Sequence, residues 1–246
     1  MRKYLYSNVN DYSKKDISNF YNHIYQEKKE RVSKYLNKDK YKSSIIGEIL
    51  LHNLLEKENI KYEEQQFIIN EYGKPYINNK RLFFNISHSY DYVITIISDK
   101  EIGIDIEKIR KTNLNTIDIF ATQKEKEYIL SSENDIYKRL FQIYTLKEAY
   151  FKMLGKDLSR IKEVEFIIDN NNITCSDKKI NAYSSDTIDN YIFSICKKRV
   201  NYFLFIIFFI YLRKFKLLFF LIFYLFIFFS CIFIFFFSNL FFLLFY

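Results

Sequence analysis

An abrupt change of composition near residue 200 limits what this chain can fold into. Upstream, polar and apolar residues are mixed as in a soluble domain; downstream, nearly every residue is Phe, Leu, Ile or Tyr. The stretch 217–246 carries no charge and follows the basic run Arg-Lys-Phe-Lys at 213–216. About 20 apolar residues suffice to cross a bilayer, so length alone makes this tail a transmembrane candidate. Its basic flank would then sit in the cytoplasm. The tail nevertheless holds no Gly, Ala, Val or Pro, although spanning helices use Gly and other small residues freely. The whole chain favours Lys, Asn, Ile, Phe and Tyr, residues with AT-rich codons. A frameshift or run-on in an AT-rich gene is therefore preferred to an anchor, and a membrane role is expected only if the tail is genuine.

Residues 1–200 must contain the folded machinery, with enough length for one large domain or two small ones. The chain of 246 residues carries a formal net charge of +8, which suits anionic partners. No Lys/Arg block interleaves with aromatics, so nucleic acid is not expected as a partner. Cys175, Cys196 and Cys231 are widely spaced and odd in number. They form neither a disulfide framework nor a zinc spacing. The N-terminus has no apolar signal core, and a cytoplasmic location is expected.

The patterning is that of an α+β protein. Tyr41, Ile45, Ile46, Ile49, Leu50 and Leu54 recur at helical spacing within 39–59. Helices are also expected over 125–130 and 135–154, with Gly155 capping the latter. Runs rich in β-branched and aromatic residues at 67–70, 83–86, 92–98, 102–107, 164–169 and 191–196 read as strands. The break at Glu71-Tyr72-Gly73-Lys74-Pro75 reads as a turn.

Several side chains point to phosphoryl chemistry. In a strand, Asp105 and Glu107 project from one face while Ile104 and Ile106 enter a core. Paired acids repel unless a cation lies between them, and magnesium prefers such oxygen ligands. An exposed polar strand face explains the pair equally well. Glu148 and Lys152, four apart on a helix, share a face, as a third ligand and a phosphate-facing cation or as a surface ion pair. His88, between Ser87 and Ser89, has donors around it. Lys28, Lys29 and Arg31 form either a phosphate clamp or a solvated helix face. No glycine-rich phosphate loop is present.

The order GKP, FNISHS, GIDIE and LKEAYFK, followed by Gly-Lys, resembles the 4′-phosphopantetheinyl transferase superfamily, and most closely its surfactin-synthetase-activating type. The resemblance spans most of 1–200 and stops before the tail. It implies a pseudo-dimer of two similar α+β halves, 1–101 and 102–200, with the magnesium site in the second and the hydrophobic tail 201–246 appended. A single chain would supply both halves, so a monomer is expected. The implied reaction moves the phosphopantetheine arm of coenzyme A onto a serine of an acyl or peptidyl carrier protein, releasing adenosine 3′,5′-bisphosphate. Fatty-acid, polyketide and peptide synthesis all use such carriers.

By the same resemblance, Asp105, Glu107 and Glu148 match magnesium ligands and Lys152 the lysine near the leaving phosphate. Ser87 and His88 match coenzyme A contacts, Gly73, Lys74 and Pro75 the loop beside the adenine, and Lys28 and Arg31 basic phosphate positions. Glu125 matches an acid sometimes proposed as a base. The chain departs from the family pattern at Ser43, where an arginine that bears on affinity for the 3′-phosphate of coenzyme A is usual; Lys42 is the nearest cation expected to bind in its place. Tyr144 stands where the family often has Trp. The alternatives are an inactive or membrane-attached relative acting as a binding protein, and another magnesium-dependent phosphoryl enzyme such as a nuclease.

Overall fold

The computed structural model describes residues 2–78, 81–169, 172–186, 188 and 190–199. Their elements run β1 (Arg2–Asn8), α1 (Lys14–Tyr21), α2 (Gln26–Ser33), α3 (Lys38–Glu56), β2 (Phe67–Ile69), β3 (Pro75–Ile77), β4 (Phe83–Ser89), β5 (Tyr92–Ser98) and β6 (Ile102–Lys108). They continue as α4 (Ile117–Phe120), α5 (Gln123–Leu130), α6 (Ile136–Leu154), β7 (Phe166–Asp169), β8 (Asn172–Cys175), β9 (Ile180–Ser185) and β10 (Tyr191–Lys198). The fold is α+β, as the sequence patterning indicates.

Two three-stranded antiparallel sheets carry the structure, one in the order β1-β5-β4 and the other β6-β10-β9. Small hairpins β2-β3 and β7-β8 precede the last two strands of each sheet. Strand, long helix, hairpin and two strands thus occur in the same order on each side of residue 101. Residues 1–199 pack as one unit.

Alternation along the inner strands joins the sheets. Ile94 and Ile96 of β5 share one apolar cluster with Ile102, Ile104 and Ile106 of β6 and with Phe193 and Ile195 of β10. The opposite face of β5 gives Val93 and Ile97 to the clusters that α3 completes. Strands buried on both faces lose the polar alternation of a half-exposed strand, which is why Tyr92–Ser98 reads as a nearly continuous apolar run. On β6 the odd positions face α6. A Cβ on Gly103 would lie 2.0 Å from the Ala149 carbonyl oxygen and 2.4 Å from the Met153 amide nitrogen. Only glycine allows this approach of helix to strand.

Local signals fix the helix ends. Asn37 caps α3 through the Asp39 and Lys40 amides. Thr122 and Glu125 form a reciprocal capping box on α5. Gly155 ends α6 in the left-handed conformation at φ 67°. The sequence patterning misses β1, α1, α2, β3, α4, β8 and β9. Helix α1 buries only Ile17, α2 only Lys28 and Val32, and β1 is only partly buried, so each offers an apolar signal of few residues. No helix among the described residues is long and apolar enough to cross a membrane; the proposed span 217–246 lies outside the described residues, as does Cys231.

Candidate active site

Strand β6 and helix α6 bring the acids together. With the even isoleucines of β6 held in the shared core, Asp105 and Glu107 turn toward α6. One face of α6 carries Glu148 and Lys152, four residues apart. Lys152 Nζ donates to Asp105 Oδ1 at 2.5 Å and to Ser87 Oγ at 3.0 Å. Glu148 Oε1 accepts from the Tyr144 hydroxyl at 2.8 Å. Glu107 Oε2 accepts from Ser89 Oγ at 2.8 Å and from Arg110 Nη1 at 3.3 Å.

The acids tolerate one another poorly. Desolvation first, and the Asp105 charge second, raise both Glu107 and Glu148 above the ordinary carboxylate range. Desolvation opposes the charge of Lys152, but Asp105, Glu148 and Glu107 outweigh it and raise its pKa. Among the described residues, no three His, Cys, Asp or Glu side chains are drawn together tightly enough to hold a metal ion as they stand. Two features nonetheless fit a hard cation. Asp105 Oδ2 is buried without a hydrogen-bond partner, and the mutual repulsion of the acids is what a divalent ion relieves.

Beside the acids lies a basic cavity of about 300 Å³, whose walls include Lys28, Arg31, Lys40, Lys74, His88, Lys152 and Lys156. Lys28 Nζ is 2.9 Å from the buried Glu48 carboxylate. Arg31 Nη1 donates to the Gly73 carbonyl at 3.0 Å, and Arg31 Nε to the Tyr35 hydroxyl, so α2 and the Gly73 turn form one wall. Gly73 holds that turn at φ 80°. The His88 ring opens onto the cavity. Desolvation by the cavity walls, then the charges of Lys152, Lys28 and Lys40, push its pKa down to about 4.

Gly73, Pro75, His88, Lys28, Arg31 and Lys152 therefore meet around one cavity. Other residues stand elsewhere. Ser87 is buried away from the cavity wall, against Asp105 and Lys152. The Lys74 stem lines the cavity, but its amine donates to the Met153 and Ile102 carbonyls at 2.9 and 3.4 Å, and burial lowers its pKa to about 8. Lys42 does not line the cavity; Lys40 and Ser44, one helical turn apart on α3, do.

Glu125 is fully buried, and its carboxylate is consumed by structure. It accepts from the Thr122 and Phe166 amides at 2.7 and 2.8 Å and pairs with Lys147 Nζ at 2.8 Å. Lys147 is itself fully buried and donates to the Ile161 and Val164 carbonyls. Breaking such a pair leaves an uncompensated buried charge, at a cost of about 3–5 kcal/mol. Through these bonds Glu125 braces α5 and α6.

Sequence reasoning missed Lys40, Tyr35 and Lys156. The spacing of Lys40 to Ser44, i to i+4, was the available signal for the first. A second cavity of about 390 Å³ borders the acids through Glu107 and Tyr144 and is walled by Phe120, Leu140, Phe141 and Ile161, among others.

Two family models match the chain. The 4′-phosphopantetheinyl transferase N-terminal model covers residues 11–100 and the 4′-phosphopantetheinyl transferase superfamily model residues 101–196. The chain is 34% identical to the 4′-phosphopantetheinyl transferase gsp of Aneurinibacillus migulanus over 70% of its own length and 76% of that protein's. It is 29% identical to the 4′-phosphopantetheinyl transferase Sfp of Bacillus subtilis (strain 168), over 60% and 67%. It is 31% identical to the L-aminoadipate-semialdehyde dehydrogenase-phosphopantetheinyl transferase of Mus musculus, over 58% and 52%. With 34% identity across 76% of the length of such a relative, and both halves matched in order, this chain belongs to the 4′-phosphopantetheinyl transferase superfamily.

Proposed function

We propose that this protein transfers the 4′-phosphopantetheine arm of coenzyme A to a serine of an acyl or peptidyl carrier protein. The observation that carries this reading is the meeting of a cationic cavity with three acids at Lys152, which lines the cavity and bonds to Asp105. The cavity's cations suit the phosphates of coenzyme A.

The serine oxygen bonds to the phosphorus bearing pantetheine. The bond from that phosphorus to the bridging oxygen breaks, and its electron pair leaves with adenosine 3′,5′-bisphosphate. Lys152 stabilises that developing charge. Lys28, Arg31 and His88 orient the cosubstrate. The serine proton passes to water or to an acid of the cluster. Bound at Asp105, Glu107 and Glu148, magnesium would neutralise charge on the diphosphate oxygens.

The repeated element order supports a pseudo-dimer of halves 1–101 and 102–200. Each half contributes to the cavity, so we propose that one chain suffices as a monomer, acting in the cytoplasm. Mass spectrometry of an apo carrier protein incubated with enzyme, coenzyme A and magnesium tests the reaction. A gain of the phosphopantetheine mass on serine is expected; an unmodified carrier overturns the reading.

A further inference from the structure

Strands β4 and β6 belong to different sheets, yet alternate side chains of β4 lie along the β6 backbone. Asn85 Oδ1 accepts the Ile104 amide at 2.9 Å, Ser87 Oγ the Ile106 amide at 3.3 Å and Ser89 Oγ the Lys108 amide at 3.3 Å. The two serines do more than the asparagine. While each accepts an amide, it donates its proton to the carboxylate one residue earlier: Ser87 to Asp105 Oδ1 at 2.7 Å, Ser89 to Glu107 Oε2 at 2.8 Å. The same two-point grip thus occurs twice, two residues apart on both strands.

A hydroxyl whose acceptor and donor sides are both committed has a fixed torsion. It therefore fixes the carboxylate it touches. Ser87 engages one oxygen of Asp105 and leaves Oδ2 buried without a hydrogen-bond partner. An unsatisfied buried oxygen is costly, and a cation is the partner that would repay it.

We propose that Ser87 and Ser89 are positioning residues that set Asp105 and Glu107 in the orientation a divalent cation requires, whereas Asn85 joins the strands without touching an acid. The proposal rests on these two acids being cation ligands, as in the function proposed above. It reassigns Ser87 from cosubstrate contact to acid support. Partners that orient ligating carboxylates are worth about 10–100-fold in metal affinity.

The test is titration of manganese(II) alone into the full-length protein, with free ion followed by electron paramagnetic resonance. Ser87→Ala/Ser89→Ala is expected to weaken binding at least about tenfold. Ser89→Thr, which keeps a hydroxyl, should stay within about threefold of the parent. Asn85→Ala removes a strand-joining bond without touching an acid, so it should lower Tm and leave manganese affinity within about twofold. Circular dichroism melts verify that each variant is folded, and the single Ser89→Ala change serves if the double variant is not. Unchanged affinity in the serine variants overturns the proposal. So does an equal loss in Asn85→Ala, which would make the effect general loosening, and so does a parent protein that binds no manganese. An unmodified carrier in the transfer assay, with the manganese pattern intact, would strike the reaction and spare the clamp.

Discussion

Lys152 Nζ lies 2.5 Å from Asp105 Oδ1, and it is the nearest cation to an acid that is almost completely buried. Helix α6 thereby supplies the countercharge for strand β6. Lys152→Ala removes it, with two expected consequences. Stability falls by about 1.5–3 kcal/mol, the range for a hydrogen bond to a charged group. Turnover falls more than coenzyme A affinity, because the lysine interacts most strongly as charge develops on the leaving phosphate. Melts with and without magnesium check the first, since added cation should restore part of the loss. Steady-state kinetics check the second, and loss of affinity at unchanged turnover would contradict it.

Gly103→Ala tests the close approach of α6 to β6. The added Cβ would meet backbone atoms of Ala149 and Met153 at 2.0 and 2.4 Å, which no side-chain adjustment relieves. Overpacking of this kind costs about 1–3 kcal/mol or more. Because the helix must move away from Asp105, the transfer rate of folded protein should drop at least about tenfold, in keeping with the sensitivity of catalysis to small displacements. A folded variant with the parent rate would show that the helix–strand distance does not govern the site.

Glu148→Gln separates stability from activity. The carboxyl group of Glu148 is raised in the folded protein, chiefly by desolvation and then by Asp105. A raised acid contributes stability that is present below the unfolded pKa and is lost as pH rises through the folded one. At pH 7 without cation, its charge therefore weighs against folding. Replacement by neutral glutamine should abolish transfer yet hold or raise Tm; about 1 kcal/mol corresponds to roughly 2–4 °C for a domain of this size. The gain should vanish as pH falls below the ordinary carboxylate range, where the parent glutamate is neutral too. Melts across pH 3–8 would expose the error if the variant lost several degrees at pH 7.

Lys40→Ala examines which cation serves beside Ser43. Lys40 lines the basic cavity, where Lys42 does not, and its amine rests 4.8 Å from the Tyr35 ring centroid. The variant should raise the KM for coenzyme A about 5–30-fold, the equivalent of about 1–2 kcal/mol. The KM for coenzyme A lacking its 3′-phosphate should change less, while Lys42→Ala should leave both near the parent value. The reverse ranking would return the role to Lys42.

Much of the site could be read from local pattern. Period-two alternation placed Asp105 and Glu107 opposite the isoleucines. Helical spacing put Glu148 and Lys152 on one face, and Gly155 marked the end of their helix. The chain order of FNISHS, GIDIE and LKEAYFK sufficed for the family. These features depend on a few neighbouring residues, and the backbone geometry of strand and helix translates them directly into direction.

Other assignments required the tertiary fold. Lys74 and Lys152 are both lysines in matching motifs, but only packing turns the first amine into the Met153 and Ile102 carbonyls and leaves the second bordering the cavity. Glu125 reads as an available acid until Lys147 and the Phe166 amide close around it. Ser87 reads as a ligand contact until β4 and β6 meet across two sheets. In each case the deciding partner is distant in sequence or hidden by burial. A side chain's charge belongs to the sequence; whether that charge is solvated, paired or aimed at a ligand is set by which distant backbone reaches it first.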